Sequence, residues 1–238
     1  QDLGLKKITD FSKKIKIYEN PDELLSISLG SKETTLLKLT SAYCSFVNGG
    51  KLVEPILIDR IQDSEGNTII NNEKRTCLNC DKLSFTGSEY PKIKDDYTQV
   101  FSPQTAYQVT SMLEGVIERG TGKKLKDLRL NLAGKTGTTN ENTDAWFIGF
   151  TSNMVIGVYV GMDNPKSLGR YETGSKTALP VFKNFIIQAV KKSEARPFKV
   201  PEKITMMVVD PLTGQKAKFS SKNTIIEVYK NQNVIDGK

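Results

Sequence analysis

Residues 130–138, 145–150 and 154–162 are three short apolar segments separated by turns of only a few residues. Parallel strands need a crossover of a dozen residues or more, so connections this short force the segments to pair as antiparallel neighbours. This succession commits the core to an antiparallel sheet and leaves helices to cover it. The third segment, Val155-Ile156-Gly157-Val158-Tyr159-Val160, is apolar on both faces. Such a strand is usually covered on both sides and paired on both edges. Only one neighbour is evident in the chain, so a further strand from outside it is expected.

Helical periodicity supplies the covering elements. A short helix is expected over residues 3–15, before a loop broken at Asn20-Pro21. Thr34-Thr35 caps a second helix over residues 36–48, and Gly49-Gly50 stops it. Ser102-Pro103 opens a third with an N-cap and a proline at the first position. Its residues Ala106, Val109, Met112, Leu113, Val116 and Ile117 recur at core-facing spacing, and Arg119-Gly120-Thr121-Gly122 ends it. A fourth, over residues 178–190, would pack Phe182, Phe185, Ile186 and Ala189 on the sheet. Residues 52–70 alternate around Ser64-Glu65-Gly66-Asn67 and suggest a small hairpin, whereas residues 71–97 read as a polar, irregular surface excursion. Residues 197–201 look like a linker, and two weak strands flank residues 211–214. The fold class is therefore α/β (α+β), with a main unit over residues 1–200 and an appendage over 201–238.

Composition removes several chemistries. The 238 residues include no histidine, which excludes a Ser-His-Asp triad, a Cys-His pair and an HExxH zinc site within the chain. The formal charge of +7 reads as a solvated lysine-rich surface, and no basic stripe with interleaved aromatics points to nucleic acid. Cys44 lies in an apolar helical run and reads as a small core residue. Cys77-Leu78-Asn79-Cys80 offers too few ligands for structural zinc and lacks the strand–helix junction of a redox motif. A local disulfide in an oxidising compartment is a reading left open. No stretch of ~20 apolar residues is present to span a bilayer.

The chemistry is concentrated in Ala133-Gly134-Lys135-Thr136-Gly137-Thr138-Thr139. Period-two alternation puts the hydroxyls of Thr136 and Thr138 on one face. Gly137, with no Cβ, lets another backbone lie close. Asp144-Ala145-Trp146-Phe147-Ile148-Gly149-Phe150 follows, with Asp144 expected to cap the turn and Trp146 to lie in the core. Tyr43 reads as core, and Glu114 and Arg119 as helix-surface charges, with the Gly120-Thr121-Gly122 turn beside them a candidate border of the cleft. Further on come Tyr159-Val160-Gly161-x-Asp163-x-Pro165 and Glu172-Thr173-Gly174 leading into Ala178-Leu179-Pro180-Val181-Phe182. Upstream lie Met112-Leu113-Glu114-Gly115-Val116 with Gly120-Thr121-Gly122, and Ser28-Leu29-Gly30 with Glu33-Thr34-Thr35.

As a set, these segments resemble the transpeptidase domain of bifunctional class A penicillin-binding proteins of the 1A type, over roughly residues 1–200. Lys-Thr-Gly is one signature of such serine acyl enzymes. The resemblance implies a sheet flanked by helices, with Lys135 and Thr138 in catalytic roles and Thr136, Gly137, Thr138 and Thr139 binding substrate. It implies D-Ala-D-Ala stem peptides and β-lactams as ligands, with no metal or cofactor. It further implies a membrane-anchored parent with a glycosyltransferase domain on the periplasmic side of the bacterial inner membrane.

The family's Ser-x-x-Lys is not found, since no serine has a lysine three residues on. The only Ser-x-Asn, Ser221-Lys222-Asn223, lies downstream of Lys-Thr-Gly, against the family order, and reads as coincidence. The expectation is thus a carboxyl-terminal part of a transpeptidase domain, unable to turn over without its upstream part. The alternatives are D-alanyl carboxypeptidase or β-lactamase activity on the same fold, or a non-catalytic peptidoglycan-binding scaffold.

Overall fold

The computed structural model describes residues 2–73, 75–80, 90–191, 195–218 and 223–231. Helices α1 (Leu5–Lys14), α2 (Leu36–Val47), α3 (Pro103–Glu118) and α4 (Ala178–Ala189) surround a central antiparallel sheet of β5 (Ala133–Thr138), β6 (Ala145–Phe150) and β7 (Val155–Val160). Three two-stranded ladders flank this body: β1 (Arg60–Gln62) with β2 (Thr68–Asn71), β3 (Thr76–Leu78) with β4 (Lys92–Lys94), and β8 (Ile204–Val209) with β9 (Ile225–Lys230). The mixed fold with an antiparallel sheet is the one expected from the short turns.

The caps act as the sequence suggests. The Thr35 hydroxyl accepts from the Lys38 amide, and the Ser102 hydroxyl accepts from the Thr105 amide with Pro103 beside it. Each such cap stabilises its helix by ~1 kcal/mol.

The central sheet divides two cores. On one face α4 covers β6 and β7, with Phe147 and Phe182 fully buried and their rings edge-to-face at 4.8 Å. Ile117, Leu125, Leu132, Leu179 and Ile186 complete that cluster. On the other face α2 lies against β7 and α3 against β5. There Phe150 meets Tyr43 at 6.3 Å and Phe198 at 5.6 Å. Side chains of this size each contribute ~1.5–3 kcal/mol when fully buried. Gly157 permits the approach of α2, because a Cβ there would run into the Thr40 hydroxyl and Leu36. A third cluster of Ile15, Ala42, Leu52 and Val100 ties the end of α1 to α2.

Several side chains depart from expectation. Phe185 is 50% exposed and Ala189 is exposed, while Phe182 and Ile186 face the sheet. Phe185 lies about 60° around the helix from Phe182 and about 100° from Ile186, beyond the stripe the sheet covers. Met112 is likewise exposed, about 100° around α3 from Leu113. The 197–201 segment is not a free linker, since Phe198 is buried against Phe150.

In the 52–70 stretch only β1 and β2 are strands, and both are exposed throughout, so their alternation does not mark a buried face. The 71–97 excursion is not irregular, because β3 and β4 pair antiparallel within it. Strands of three residues are too short to announce themselves by periodicity. Cys77 and Cys80 are joined by a disulfide, and Cys44 is a partly buried free thiol.

The two strands expected around residues 211–214 form the β8–β9 hairpin, which docks on α3. The Gln108 side-chain amide donates to the Val228 carbonyl at 3.1 Å, and Lys230 Nζ donates to Thr105 Oγ1 at 2.6 Å. Arg119 reaches the Glu227 carboxylate at 3.3 Å. Ser221 and Lys222 lie outside the described residues. Among the described residues β7 pairs only with β6, leaving its other edge open.

Candidate active site

Strand β5 carries the expected site residues and forms an edge of the sheet, pairing only with β6 among the described residues. The register runs from Ala133 opposite Phe150 to Thr138 opposite Ala145. Beyond it, the Thr139 amide donates to the Asp144 carbonyl at 3.2 Å. Antiparallel pairs alternate between hydrogen-bonded and non-bonded positions. Gly137 and Lys135 are therefore bonded to β6, and the backbone N–H and C=O of Thr136 and Thr138 turn to the open edge. Lys135 Nζ donates to the Thr136 carbonyl at 3.0 Å, in keeping with that orientation.

Two contacts hold the threonine side chains. The Thr136 hydroxyl lies 2.9 Å from that of Thr121, in the Gly120-Thr121-Gly122 turn after α3. The Thr138 hydroxyl accepts from the Gly174 amide at 3.0 Å. Gly174 lies so close to the β5–β6 pair that a Cβ on it would stand 2.5 Å from the Gly137 carbonyl oxygen. Gly137 is constrained from the other strand, since its own Cβ would lie 3.1 Å from that of Trp146. Both glycines thus bring three segments of backbone together at one point.

Thr139 closes the β5–β6 turn. Its hydroxyl accepts from the Asp144 amide at 2.8 Å and lies 2.7 Å from the Thr143 hydroxyl. Asp144 is consequently not the turn cap: its carboxylate accepts from the Tyr159 hydroxyl at 2.9 Å, which raises the tyrosine pKa. Trp146 is partly buried and packs on Tyr159 with ring centroids 4.7 Å apart. Glu114 is not a plain surface charge either. Burial, aided by the neighbouring Glu118 charge, lifts its carboxyl to about 7.

Thr121 and Gly174 have no assigned role in the sequence reading. Thr121 appears there in the Gly120-Thr121-Gly122 turn, a candidate border of the cleft in keeping with its contact with Thr136, and Gly174 within the Glu172-Thr173-Gly174 motif. The signal available was their place in segments that keep company with Lys-Thr-Gly; their contact with β5 is not visible in spacing. Among the described residues no group of three or more histidine, cysteine or carboxylate side chains is placed to hold a metal ion. No described helix is long and apolar enough to cross a membrane.

This geometry coincides with a family match. The family model of the penicillin binding protein transpeptidase domain matches residues 2–186. The chain belongs to that family. It is 42% identical over 236 residues to penicillin-binding protein 1A of Rickettsia felis, an alignment covering 98% of this chain and 29% of the relative. Penicillin-binding protein 1A of Pseudomonas aeruginosa is 31% identical over 265 residues, covering 98% and 32%. The crystal structure of penicillin-binding protein 1A from Haemophilus influenzae matches with a TM-score of 0.77 at 29% identity, over 95% of this chain and 36% of that one. The chain thus spans about a third of the length of these penicillin-binding proteins.

Proposed function

We propose that this chain supplies the substrate-binding strand and an oxyanion donor of a peptidoglycan D,D-transpeptidase whose serine nucleophile lies upstream in the longer protein. The observation that carries the reading is the open β5 edge, which presents the backbone of Thr136 and Thr138 beside hydroxyls aligned on one face. An extended peptide adds to such an edge through main-chain hydrogen bonds.

In this reading the hydroxyls of Thr136 and Thr138 bind the terminal carboxylate of D-Ala-D-Ala, or that of a β-lactam in its place. The serine oxygen attacks the penultimate D-Ala carbonyl, and the Thr138 amide stabilises the resulting oxyanion. One such donor contributes ~3 kcal/mol to lowering the barrier. The C–N bond to the terminal D-Ala breaks, and that amine takes the serine proton. An amine of a neighbouring stem peptide then attacks the ester, forming the cross-link and returning a proton to the serine. Lys135 provides positive charge beside the carboxylate and the upstream motifs. Thr139 supports this geometry by fixing the turn at the end of the strand.

The upstream part would also supply the strand that the open edge of β7 lacks. The Cys77–Cys80 disulfide suits an oxidising compartment, in line with a periplasmic position outside the inner membrane. Labelling with a fluorescent penicillin tests the proposal, comparing this chain with a polypeptide extended upstream through Ser-x-x-Lys. Covalent label on the extended form alone is expected. Label on neither would leave the protein without acyl-enzyme chemistry, and label on the short chain would place a reactive serine within it.

A further inference from the structure

The Cys77-Leu78-Asn79-Cys80 motif has no part in the site on β5. Its disulfide joins residues only three apart in sequence, so the ring it closes holds no other element. Among the described residues the next element after β3 is β4, not a helix, so the pair is not the strand–helix centre of an oxidoreductase. Nor is it placed as a staple. A disulfide that substitutes for a core ties distant parts of a chain, and its contribution grows with the loop it closes. This one fastens β3 neither to β4 nor to the body of the protein.

Its setting suits exchange instead. Both cysteines are exposed, and none of the described residues from 54 to 99 is buried. Exposed disulfides are the labile ones, open to attack by a thiolate. In the ladder Cys77 stands opposite Ile93, between the Leu78–Lys92 and Thr76–Lys94 pairs. Neither strand carries an acid, and Glu73, shortly before β3, is bound to Arg75. Neighbouring cations favour a thiolate over a thiol. Cys80 lies beyond the end of β3, after Asn79 turns the chain with a φ of 62°. Attack on Cys80 therefore releases Cys77 as the thiolate, on the ladder that carries the two lysines.

We propose that Cys77–Cys80 is a thiol–disulfide exchange site whose reaction partner is a thiol donor. A donor thiolate bonds to Cys80 Sγ, the bond between Cys77 and Cys80 breaks, and Cys77 leaves as a thiolate that takes up a proton. A second donor thiolate then bonds to the first donor sulfur, and Cys80 leaves and is protonated in turn. The donor sulfurs end joined to each other, and the pair has gained two electrons and two protons. Leu78 and Asn79, at the end of β3, are freed from the ring. The inference stands apart from the transpeptidase reading.

The test uses the upstream-extended protein purified under oxidising conditions. Free thiols are counted by maleimide labelling and mass spectrometry, with Cys44 as the internal reference. Glutathione should reduce the pair in the folded protein at a rate within about threefold of that in urea, because the fold shields neither sulfur. Reduced thioredoxin, at equal thiol concentration, distinguishes the sources: faster reaction with it assigns a protein dithiol as donor, and faster reaction with glutathione a small thiol. Folded-state protection of about tenfold or more overturns the proposal. So does a pair isolated as two free thiols that glutathione disulfide does not join. Acid quenching should trap glutathione on Cys80, and adducts found on Cys77 would overturn the assigned direction. K92Q/K94Q is expected to slow reduction about threefold at low salt with no change in Tm. An unchanged rate removes the role given to the ladder.

Discussion

The Gly174 amide donates to the Thr138 hydroxyl across 3.0 Å, although 36 residues separate the two. The bond orients the hydroxyl that the proposed mechanism places at the substrate's terminal carboxylate, and it pins the loop before α4 against β5. A methyl group at position 174 would face the Gly137 carbonyl oxygen at 2.5 Å and the Gly137 nitrogen at 3.1 Å, both in the backbone and unable to rotate away. Gly174→Ala should therefore destabilise the upstream-extended protein by about 2 kcal/mol. That corresponds to a fall of roughly 4–8 °C in Tm for a domain of this size. Thermal unfolding followed by circular dichroism measures it, and an unchanged Tm would show that the loop does not depend on this contact.

Thr121 meets the other threonine. Its hydroxyl lies 2.9 Å from that of Thr136, so the turn after α3 holds the side chain proposed to bind the substrate carboxylate. Thr121→Val keeps the shape and removes the hydrogen bond, a loss of ~1 kcal/mol. The second-order rate of penicillin acylation is expected to drop about fivefold, with little change in Tm. A rate equal to that of the unsubstituted protein would mean that Thr136 needs no such support.

Phe198 is buried between two prolines, with its ring 5.6 Å from that of Phe150. It joins the chain after α4 to the core that lies on the α2–α3 face of the sheet. Phe198→Ala leaves a cavity there and should cost ~3–4 kcal/mol. Limited proteolysis should then cut within the 195–203 region faster than in the unsubstituted protein. Equal cutting rates would show that the β8–β9 hairpin is held by α3 alone.

The legible parts of this molecule are those with local causes. Thr35 and Ser102 announce their helices because a cap needs only a hydroxyl and the next three residues. The β5–β6–β7 meander is forced by turns too short for any crossover. Lys135 to Thr139 stand out because their composition and context recur in a family. What escaped depends on which surface meets which. Helical spacing identifies Phe182, Phe185 and Ile186 as one apolar group, yet the sheet covers only the stripe through Phe182 and Ile186. The prolines around Phe198 suggest a linker because they interrupt regular structure, and they say nothing of a ring that finds a pocket. Asp144 was expected at the turn, where Thr139 takes the capping role and frees the carboxylate for Tyr159. Gly174 and Thr121 touch β5 through contacts made in three dimensions, and one sequence does not record those distances.

Glu114 gives the molecule a pH dependence of known sign. Burial first, then the Glu118 charge, raises its carboxyl from 4.5 to about 7 in the folded protein. The folded state therefore binds this proton more tightly than the unfolded chain does. Stability from the protonated form is complete below pH 4.5, declines as pH rises toward 7, and is gone above it. A shift of this size corresponds to an upper bound of roughly 3 kcal/mol, and solvent screening of a partly exposed group reduces it to about 1–2 kcal/mol. Glu114→Gln cannot ionise and keeps nearly the same shape. Its stability relative to the unsubstituted protein should be about equal at pH 4 and higher by ~1–2 kcal/mol at pH 8. Urea unfolding at the two pH values isolates the effect, because all other titrating groups cancel in the difference. A difference that is the same at both would mean that the Glu114 carboxylate is solvated in the folded state, with no penalty for its charge.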